Sequence, residues 1–319
     1  MVGKYSIGRC LRNTRCEGKV KMYGINQIVN RFITQLVELK GYIKIYFKRR
    51  KMKVLSIEET ISEIILNQCS VSRFGDGEFY IMDGIDIRFQ SSDRLLRERL
   101  IEIIHSQDSK CLICIGSAIN PLNYRDFTKN QVKWYKVHYK REAVNKFKYL
   151  EENRTYYNLL ISRFWIPLRN KERAMDIALS LKKIWENRDL VIIEGYMTRM
   201  GVGNDLFSAA KSCRRILCPA ENAFKNYTEI LNAARKFPKD MLFLIALGPT
   251  ATVLAYDLHI NGYQAIDIGH IDLEYEWMKA KSCDHIKVKG KYVNEVEGGN
   301  IVDDCFDEVY LNEIVDRIC

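Results

Sequence analysis

Short apolar runs alternate with helical patterns over most of this chain, and that alternation limits the folds open to it. SVSRF and KCLICIG are typical of strands, and DRLLRERLIEIIHS between them has helical spacing. After an aromatic and basic section, 129–169, to which no element is assigned, come ERAMDIALSLKKIWEN, DLVIIEG, GNDLFSAAKS, RILCP, AFKNYTEILNAARKF, MLFLIAL, TATVLAYDLHING and YQAIDIG. Continuous Val, Ile and Leu runs indicate strands buried on both faces of a parallel sheet. We therefore expect an α/β fold, Rossmann-like and doubly wound, with a mostly parallel sheet and helices on both faces.

Positive charge is concentrated in residues 1–53. They hold 14 Lys and Arg against two Glu, a net charge of +12, so the remaining residues carry −2 of the chain's +10. A nucleic-acid surface is disfavoured, because it needs Lys and Arg spread over the folded face. We predict a basic, partly amphipathic N-terminal extension, 1–53, and a globular domain, 54–319. The extension either contacts an anionic membrane surface or packs as a helix on the core or on a partner.

The sequence also carries information about the compartment. It has no signal-peptide pattern and no apolar stretch of the roughly 20 residues needed to cross a bilayer. Its ten cysteines lie scattered in apolar contexts, which favours free thiols in a reducing compartment. Cys111 and Cys114 form a C-x-x-C, but they lie inside the run KCLICIG, with no second pair at zinc spacing. We expect a cytoplasmic protein, with the extension as a candidate peripheral contact to the inner face of the cell membrane.

In a doubly wound fold, ligands bind beyond the carboxyl ends of the strands, so residues directly after the strands are the candidate site. The first such turn is RFGDGE, which contains Arg73, Gly75, Asp76 and Glu78. Glycine lets the backbone approach a ligand, and Arg73 suits a phosphate. In an extended segment Asp76 and Glu78 face the same way and can hold one hard cation. The alternative is a glycine turn with solvated acids.

A second turn follows DLVIIEG. Its segment YMTRMGVGNDLF carries Arg199, Gly201, Gly203, Asn204 and Asp205 into a predicted helix start. Free backbone N–H groups at a helix start suit a diphosphate, and Arg199 adds positive charge. Helix capping by Asn204 or Asp205, with no ligand, is the alternative.

Two further turns add donor-binding candidates. Asn222, after RILCP, can read a base edge through its amide, although a turn or cap role explains it equally well. Gly248 and Thr250 open the helix after MLFLIAL, where phosphate binding and ordinary helix-start chemistry need the same residue types.

The turn after the last predicted strand, GHIDLEYEW, is the most polar. His270 follows that strand directly and is a candidate ligand of a metal or a diphosphate; the alternative is a structural histidine. Asp272, Glu274 and Glu276 border the predicted metal site and are candidate catalytic bases.

Together these motifs resemble the GT-D-fold glycosyltransferases, a family first catalogued as a domain of unknown function. RFGDGE, TRMGVGNDLF, CPAENAF, ALGPTATVLAYDL and GYQAIDIGHIDLEYEW occur in the family's order, over residues 55–295. The resemblance implies a Rossmann-like core, a D-x-E motif that binds manganese or a similar cation, and a UDP-sugar donor. In the family's best-known branch the sugar is glucose, added to a growing glycan on a secreted serine-rich adhesin. The D-x-E then becomes Asp76 and Glu78, and the donor diphosphate contacts fall on residues 201–205 and 248–250.

The sequence therefore predicts a metal-dependent hexosyltransferase that uses Mn²⁺ or Mg²⁺, with Asp76, Glu78 and His270 as metal ligands. Its expected partners are UDP-glucose or a similar nucleotide-sugar donor and a glycan, glycoprotein or lipid-linked acceptor, in bacterial surface polysaccharide or glycoprotein synthesis. The alternatives are a non-catalytic, membrane-docked scaffold of a glycan-assembly complex and another nucleotide-binding α/β enzyme. The second is weakened because G-x-x-x-x-G-K-[ST] and a clear G-x-G-x-x-G are absent from the sequence.

Overall fold

The computed structural model describes residues 47–49, 51–119 and 121–318. Most of the predicted extension, 1–53, therefore lies outside the described residues. In the described part, no helix is long and apolar enough to cross a membrane. The seven cysteines of that part are free thiols, as the sequence predicts for them.

Nine strands in the described part of the chain form one sheet, and every pairing between them is parallel. Their order across the sheet is β1-β4-β3-β2-β8-β7-β5-β6-β9. The strands are β1 (Lys53–Val54), β2 (Ser70–Phe74), β3 (Cys111–Ile115), β4 (Thr155–Asn158), β5 (Asp189–Gly195), β6 (Ser212–Cys218), β7 (Leu242–Ala246), β8 (Gln264–Asp267) and β9 (Ile314–Arg317). The parallel sheet confirms the predicted α/β fold.

Helices pack on both faces of this sheet. They are α1 (Ile57–Asn67), α2 (Asp76–Met82), α3 (Arg94–Ile104), α4 (Lys129–Phe147), α5 (Lys171–Lys182), α6 (Tyr227–Ala234), α7 (Pro249–Ile260), α8 (Ile271–Lys279) and α9 (Glu308–Glu313). In β5, Leu190 and Ile192 enter one hydrophobic cluster, whereas Val191 and Ile193 enter another. Side chains of a strand alternate between its faces, so both faces of the central sheet are buried.

The centre of the sheet is where the chain changes direction. β2 and β8 are neighbours there, although they come from opposite ends of the domain. From β2 the chain continues outward through β3 and β4, while β5, β7 and β8 lie on the other side of β2. Such a switch point opens a crevice at the carboxyl ends of the strands.

Two segments differ from the sequence prediction. The residues of GNDLFSAAKS, predicted as a helix, form consecutive turns between β5 and β6. Gly201 and Gly203 in this region have φ of +76° and +77°, which a right-handed helix does not allow. In the section 129–169, the structure has the 19-residue helix α4 and the strand β4.

Candidate active site

A cavity of about 690 Å³ opens at the carboxyl ends of the central strands. Its walls come from the turns after β2, β5, β6, β7 and β8, from one face of α4 and from the segment 285–295. Small-molecule sites typically measure about 300–1,000 Å³, so a nucleotide-sized ligand fits. The predicted site residues that line it are Arg73, Gly75, Asp76, Glu78, Asn222, Gly248, His270, Asp272 and Glu274.

Asp76 begins α2 and lies in the cavity wall. Its Oδ1 accepts a hydrogen bond from Lys146 and lies 3.1 Å from Nε2 of His138. Burial by itself raises the pKa of Asp76, but the His138 hydrogen bond and the Lys146 charge outweigh it and lower the pKa to about 2. The side chain is 39% exposed. Asp76 is therefore an ionised carboxylate that ligands in the cavity can reach.

Glu78 turns away from Asp76. Its Oε2 accepts a hydrogen bond of 2.7 Å from the backbone N–H of Gly75. The predicted extended D-x-E segment is wrong, because both residues lie in the first turn of α2. Residues two apart on a helix point in diverging directions, whereas in a strand they share a face. Burial and the nearby Asp267 charge raise the pKa of Glu78 to about 7.

The three predicted metal ligands do not converge. Asp76, Glu78 and His270 are all described, and in the described part no three His, Cys, Asp or Glu side chains are grouped to hold a metal ion. The structure does not bring these three side chains together, and their joint role in binding a metal stays a prediction. Both contacts of Asp76 with described residues use Oδ1, so no described residue is hydrogen-bonded to Oδ2. That donor set fits a cation that takes one protein carboxylate and completes its coordination with ligand oxygens.

Arg73 is engaged inside the fold. Its Nε donates to the backbone oxygen of Asp267 at 2.8 Å, one terminal nitrogen lies 2.6 Å from the Asp267 carboxylate, and the other donates to Ser162. A Cβ at Gly269 would lie 2.0 Å from the guanidinium, so only glycine fits there. Arg73 thus holds the end of β2 against the turn after β8, and its role in phosphate binding stays a prediction.

His270, in the turn after β8, has polar partners in the segment 285–295. The Nε2 atom of His270 lies 3.3 Å from Oδ1 of Asn294 and 3.3 Å from Oε1 of Glu295. Burial and the Arg163 charge lower the pKa of His270 to about 4, so the imidazole is neutral at pH 7. Its side chain lines the cavity next to the segment 285–295.

The three predicted catalytic bases differ in how many hydrogen bonds and ion pairs their carboxylate oxygens make. Asp272 accepts from Gly201 N–H at 2.9 Å and pairs with Lys291 at 2.6 Å. Glu276 accepts from Asn204 at 2.6 Å and lies outside the cavity wall, and its role as a base stays a prediction.

Glu274 is different. It is buried in the wall, and its Oε2 accepts from the backbone N–H groups of Trp165 and Ile166 at 2.6 and 2.8 Å. Its Oε1 is buried with no hydrogen-bond partner among the described residues. Burial raises the pKa of Glu274 against the opposing Arg163 charge.

Thr198 and Met200 of the turn after β5 line the cavity, whereas the residues predicted there to bind the donor lie outside its wall: Arg199, Gly201, Gly203, Asn204 and Asp205. Arg199 donates to the backbone oxygens of Gly290 and Asp303 at 2.9 and 2.6 Å, and so anchors the C-terminal segment. Asn204 donates to Asp272 and Glu276. Asp205 pairs with Lys182 at 2.9 Å. The placement of a diphosphate on Arg199, Gly201, Gly203, Asn204 and Asp205 stays a prediction, although the helix start on which it was based is absent from this segment.

The turns after β6 and β7 do reach the cavity. Oδ1 of Asn222 accepts from Ser91 N–H at 2.8 Å, and Asn222 N–H donates to Phe89, so Asn222 also fixes the loop that borders the wall. Gly248 has φ of +55°, and a Cβ there would lie 2.5 Å from the Phe89 ring. Thr250 is fully buried outside the wall, which argues against its predicted donor contact.

One face of α4 borders the cavity and was not predicted from the sequence. Trp134, Tyr135, His138 and Lys146 line the cavity from this helix. Successive intervals of one, three and eight residues separate them, which places them on one side of the helix. Arg163 was not predicted either; it lines the cavity and pairs with Glu295 at 2.6 Å.

The cavity wall holds more acid than base. Its described carboxyl groups are Asp76, Glu78, Asp267, Asp272, Glu274 and Glu295, and its Arg and Lys side chains are Arg73, Lys146 and Arg163. All three cations are already paired with a carboxylate: Arg73 with Asp267, Lys146 with Asp76 and Arg163 with Glu295. An anionic ligand such as a diphosphate would therefore bind more favourably with an additional cation.

Comparison with known proteins identifies similar chains. The family model described as "Glycosyltransferase GT-D fold" matches residues 71–296. A probable glycosyl transferase Gly from Streptococcus gordonii is 36% identical over 271 residues, which is 84% of this chain and 39% of that protein. Glycosyltransferase GlyD from Streptococcus pneumoniae serotype 4 is 37% identical over 268 residues, 84% of this chain and 33% of that protein. This chain thus spans well under half of the length of these two relatives.

Solved structures share the fold. One, described as a highly conserved domain of unknown function 1792 with a distinct glycosyltransferase fold, has a TM-score of 0.81 and 36% identity. The alignment covers 88% of this chain and 100% of that one. A glycosyltransferase of the same domain type from Streptococcus sanguinis has a TM-score of 0.78 and 34% identity, over 84% of this chain and 100% of that one.

Proposed function

This chain belongs to the GT-D-fold glycosyltransferase family, and we propose that it moves a hexose from a nucleotide sugar, UDP-glucose or a similar donor, to a glycan acceptor. The supporting observation is the cavity at the carboxyl ends of the strands, with the ionised Asp76 in its wall. In this fold class that edge of the sheet is where nucleotides bind.

The donor diphosphate is proposed to lie near Gly248, at the start of α7. This helix has 12 residues and begins with Pro249, which has no N–H. Ala251 N–H donates to the oxygen of Gly248, so the N–H groups of Gly248 and Thr250 are the ones that this helix start can offer. A side chain at Gly248 is excluded, since its φ is +55° and the Phe89 ring occupies the position of a Cβ. Helix N-termini favour anions through these N–H groups and the helix dipole.

A divalent cation, Mn²⁺ or Mg²⁺, is proposed to bind Asp76. The acid-rich wall and the low pKa of Asp76 support this proposal. The cation would supply electrostatic stabilisation of the charge that develops on the leaving nucleotide diphosphate. Lys146 contacts Asp76 and adds positive charge at the same place.

The acceptor hydroxyl must lose its proton as its oxygen bonds to the anomeric carbon and the bond from that carbon to the diphosphate breaks. Of the three predicted bases, Glu274 is the one we propose for this proton, because its Oε1 is without a hydrogen-bond partner in the described structure. Its pKa, raised by burial, makes it a better proton acceptor than an ordinary carboxylate. The expected consequence is that Glu274→Gln lowers kcat roughly 10²–10⁴-fold while the donor KM changes little.

The test is nucleotide release by the purified protein. UDP-glucose, UDP-galactose, UDP-N-acetylglucosamine, GDP-mannose and dTDP-glucose are each incubated with Mn²⁺, with Mg²⁺ or with EDTA. Slow hydrolysis of at least one donor, lost in EDTA and restored by added metal, is the expected result. Hydrolysis that is equally fast in EDTA would remove the cation from the proposal. No release from any donor, with a folded protein, would argue against the donor class itself.

We propose that the acceptor belongs to bacterial surface polysaccharide or glycoprotein synthesis, in the cytoplasm, and that residues 1–53 hold the enzyme at the membrane. The named relatives from streptococci and the charge of +12 on that segment support this. Vesicles with phosphatidylglycerol should sediment the full chain, and phosphatidylcholine vesicles should not. Binding that survives deletion of residues 1–50 would contradict the membrane proposal.

A further inference from the structure

An aromatic cluster on α4 fixes one large side chain at the cavity wall. The Trp134 ring stacks on His138, with centroids 4.5 Å apart and planes at 9°, and it meets Tyr135 edge-on at 5.4 Å. Tyr135 is buried and in turn contacts Tyr124 at 6.2 Å and Phe127 at 5.1 Å. The indole is therefore held in one orientation by partners behind and beside it.

Trp134 is nevertheless exposed. It is 47% accessible, whereas Trp165 is 4% accessible and Trp185 and Trp277 are fully buried. These four are all the tryptophans of the chain. A large apolar ring that is rigidly held and open to a cavity is typical of a binding surface.

The topology separates Trp134 from the proposed nucleotide end of the cavity. α4 follows β3, on the side of β2 that faces away from β5, β6 and β7. Neighbouring strands lie about 4.8 Å apart, so β5, three strands from β2, is displaced by about 14 Å. A donor held near the ends of β5–β7 leaves the α4 side of the cavity to another ligand.

The chemistry of that side suits a sugar. His138, on which Trp134 stacks, contacts Asp76, so the indole lies one ring away from the proposed reaction centre. Gln131, which precedes Trp134 by nearly one helical turn, also lines the wall and offers an amide donor and acceptor. An apolar ring face with a neighbouring amide matches a pyranose, which presents C–H groups on one face and hydroxyls at its rim.

We propose that Trp134 and Gln131 form the acceptor subsite, in which a pyranose of the acceptor glycan stacks on the indole. The proposal rests on the proposed glycosyl transfer and adds the residues that select its acceptor.

The kinetic test separates acceptor from donor binding. Wild-type protein is assayed with its best donor and with p-nitrophenyl β-glucoside, β-galactoside and N-acetyl-β-glucosaminide as acceptors. Trp134→Ala should raise the acceptor KM on the order of 10-fold, with the donor KM changed less than twofold, and Trp134→Phe should recover part of the loss. Val137→Ala is the matched control, because Val137 is 49% exposed on the same helix but outside the cavity wall.

A binding test does not depend on turnover. Trp134 is the exposed tryptophan, so acrylamide quenching of the protein's fluorescence reports mainly on it. Methyl glycosides of glucose, galactose or N-acetylglucosamine should reduce that quenching in wild type, and the protection should disappear in Gln131→Ala, which keeps the fluorophore. If a methyl glycoside protects the fluorescence from quenching but no donor releases its nucleotide, the result would support the acceptor subsite and contradict the proposed glycosyl transfer.

Three results would overturn the subsite. One is a Trp134→Ala variant whose donor KM rises while its acceptor KM does not, since the indole would then stack on the nucleotide base. The second is an unchanged KM for both substrates. The third is quenching that no methyl glycoside reduces.

Discussion

Two glycine-rich turns of this molecule look alike in sequence and do different things. The turn after β2 reads RFGDGE and the turn after β5 reads TRMGVGND. Each follows a buried strand and carries an arginine and two glycines, with two acidic residues in the first and one in the second. The first borders the cavity with Gly75, Asp76 and Glu78, whereas Arg199, Gly201 and Asn204 of the second lie outside its wall.

The difference lies in how fully the polar groups are paired. Gly201 and Asn204 of the second turn donate to Asp272 of α8, which pairs with Lys291, and Lys291 is 3% exposed. In the first turn, Oδ1 of Asp76 contacts Lys146 and His138, and the side chain remains 39% exposed. Buried polar groups that are fully paired stabilise a fold, whereas an ionised and exposed carboxylate is available to a ligand. Asp205 of the second turn is also exposed, but it pairs with Lys182 and lies outside the cavity wall, so an exposed carboxylate borders the cavity in the first turn only.

Of the substitutions that test this comparison, one at Lys291 should have the largest effect. Lys291→Met leaves the buried carboxylate of Asp272 and the neighbouring Glu276 without their cation. Breaking one half of a buried ion pair costs about 3–5 kcal/mol of unfolding free energy. Urea denaturation measures it, with Lys289→Met, on an exposed lysine of the same segment, as the control. Equal stability of the two variants would mean that the second turn is not held by its ion pairs.

For Asp76 we expect an effect on donor hydrolysis, in contrast to the effect on stability expected for Lys291. Asp76→Asn removes the charge that is proposed to hold the cation, so donor hydrolysis should fall roughly 10²–10³-fold. Asp205→Asn is the matched control, because it removes a carboxylate from the other turn, and its hydrolysis should equal that of wild type. Rates of nucleotide release at saturating donor and Mn²⁺ measure both. An Asp76→Asn protein with more than half of the wild-type rate would remove the distinction between the turns.

Two asparagines allow a closer comparison. Asn204→Ala loses hydrogen bonds to Asp272, Glu276 and the backbone of Leu206, which should cost about 1–3 kcal/mol of stability. Its donor KM should not change. Asn222→Gly keeps the left-handed backbone, φ 54°, but removes an amide from the cavity, so the donor KM should rise roughly 3–10-fold. Thermal unfolding and initial rates distinguish these outcomes, and a raised donor KM in Asn204→Ala would contradict them.

The sequence predicted the sheet well because strand burial is a local property. Runs such as DLVIIEG and MLFLIAL are apolar over most of the length that both faces of the sheet must cover, and the buried Glu194 is paired with Arg215. The strand ends then located Asp76 and Gly248 without any knowledge of side-chain contacts. Helix α4 was missed because apolar and charged residues are mixed around its circumference, so no apolar stripe marks it.

The two turns could not be told apart from sequence for a related reason. Whether Asp272 is paired depends on Lys291, and whether Arg199 is engaged depends on the backbone of Gly290 and Asp303. These partners come from a segment without regular secondary structure, whose path follows from tertiary packing. Residue type and spacing therefore identify candidate groups, and long-range pairing decides which remain free to react.

The smallest effect is expected from the acidity of Asp205. The hydrogen bond from Lys182 holds the pKa of Asp205 well below its usual range. A carboxyl group whose pKa is lowered in the folded state binds fewer protons there than in the unfolded chain, so its contribution to stability is present above the unfolded pKa of about 4 and is lost as the pH falls below it. The pair is largely exposed, with 56% of the Asp205 side chain accessible, so the contribution should not exceed about 1 kcal/mol. Urea denaturation of wild type and Asp205→Asn at pH 7 and at pH 3 measures it: the difference should be small at pH 7 and smaller at pH 3. A difference that grows as the pH falls would mean that the Lys182 pair does not stabilise the second turn.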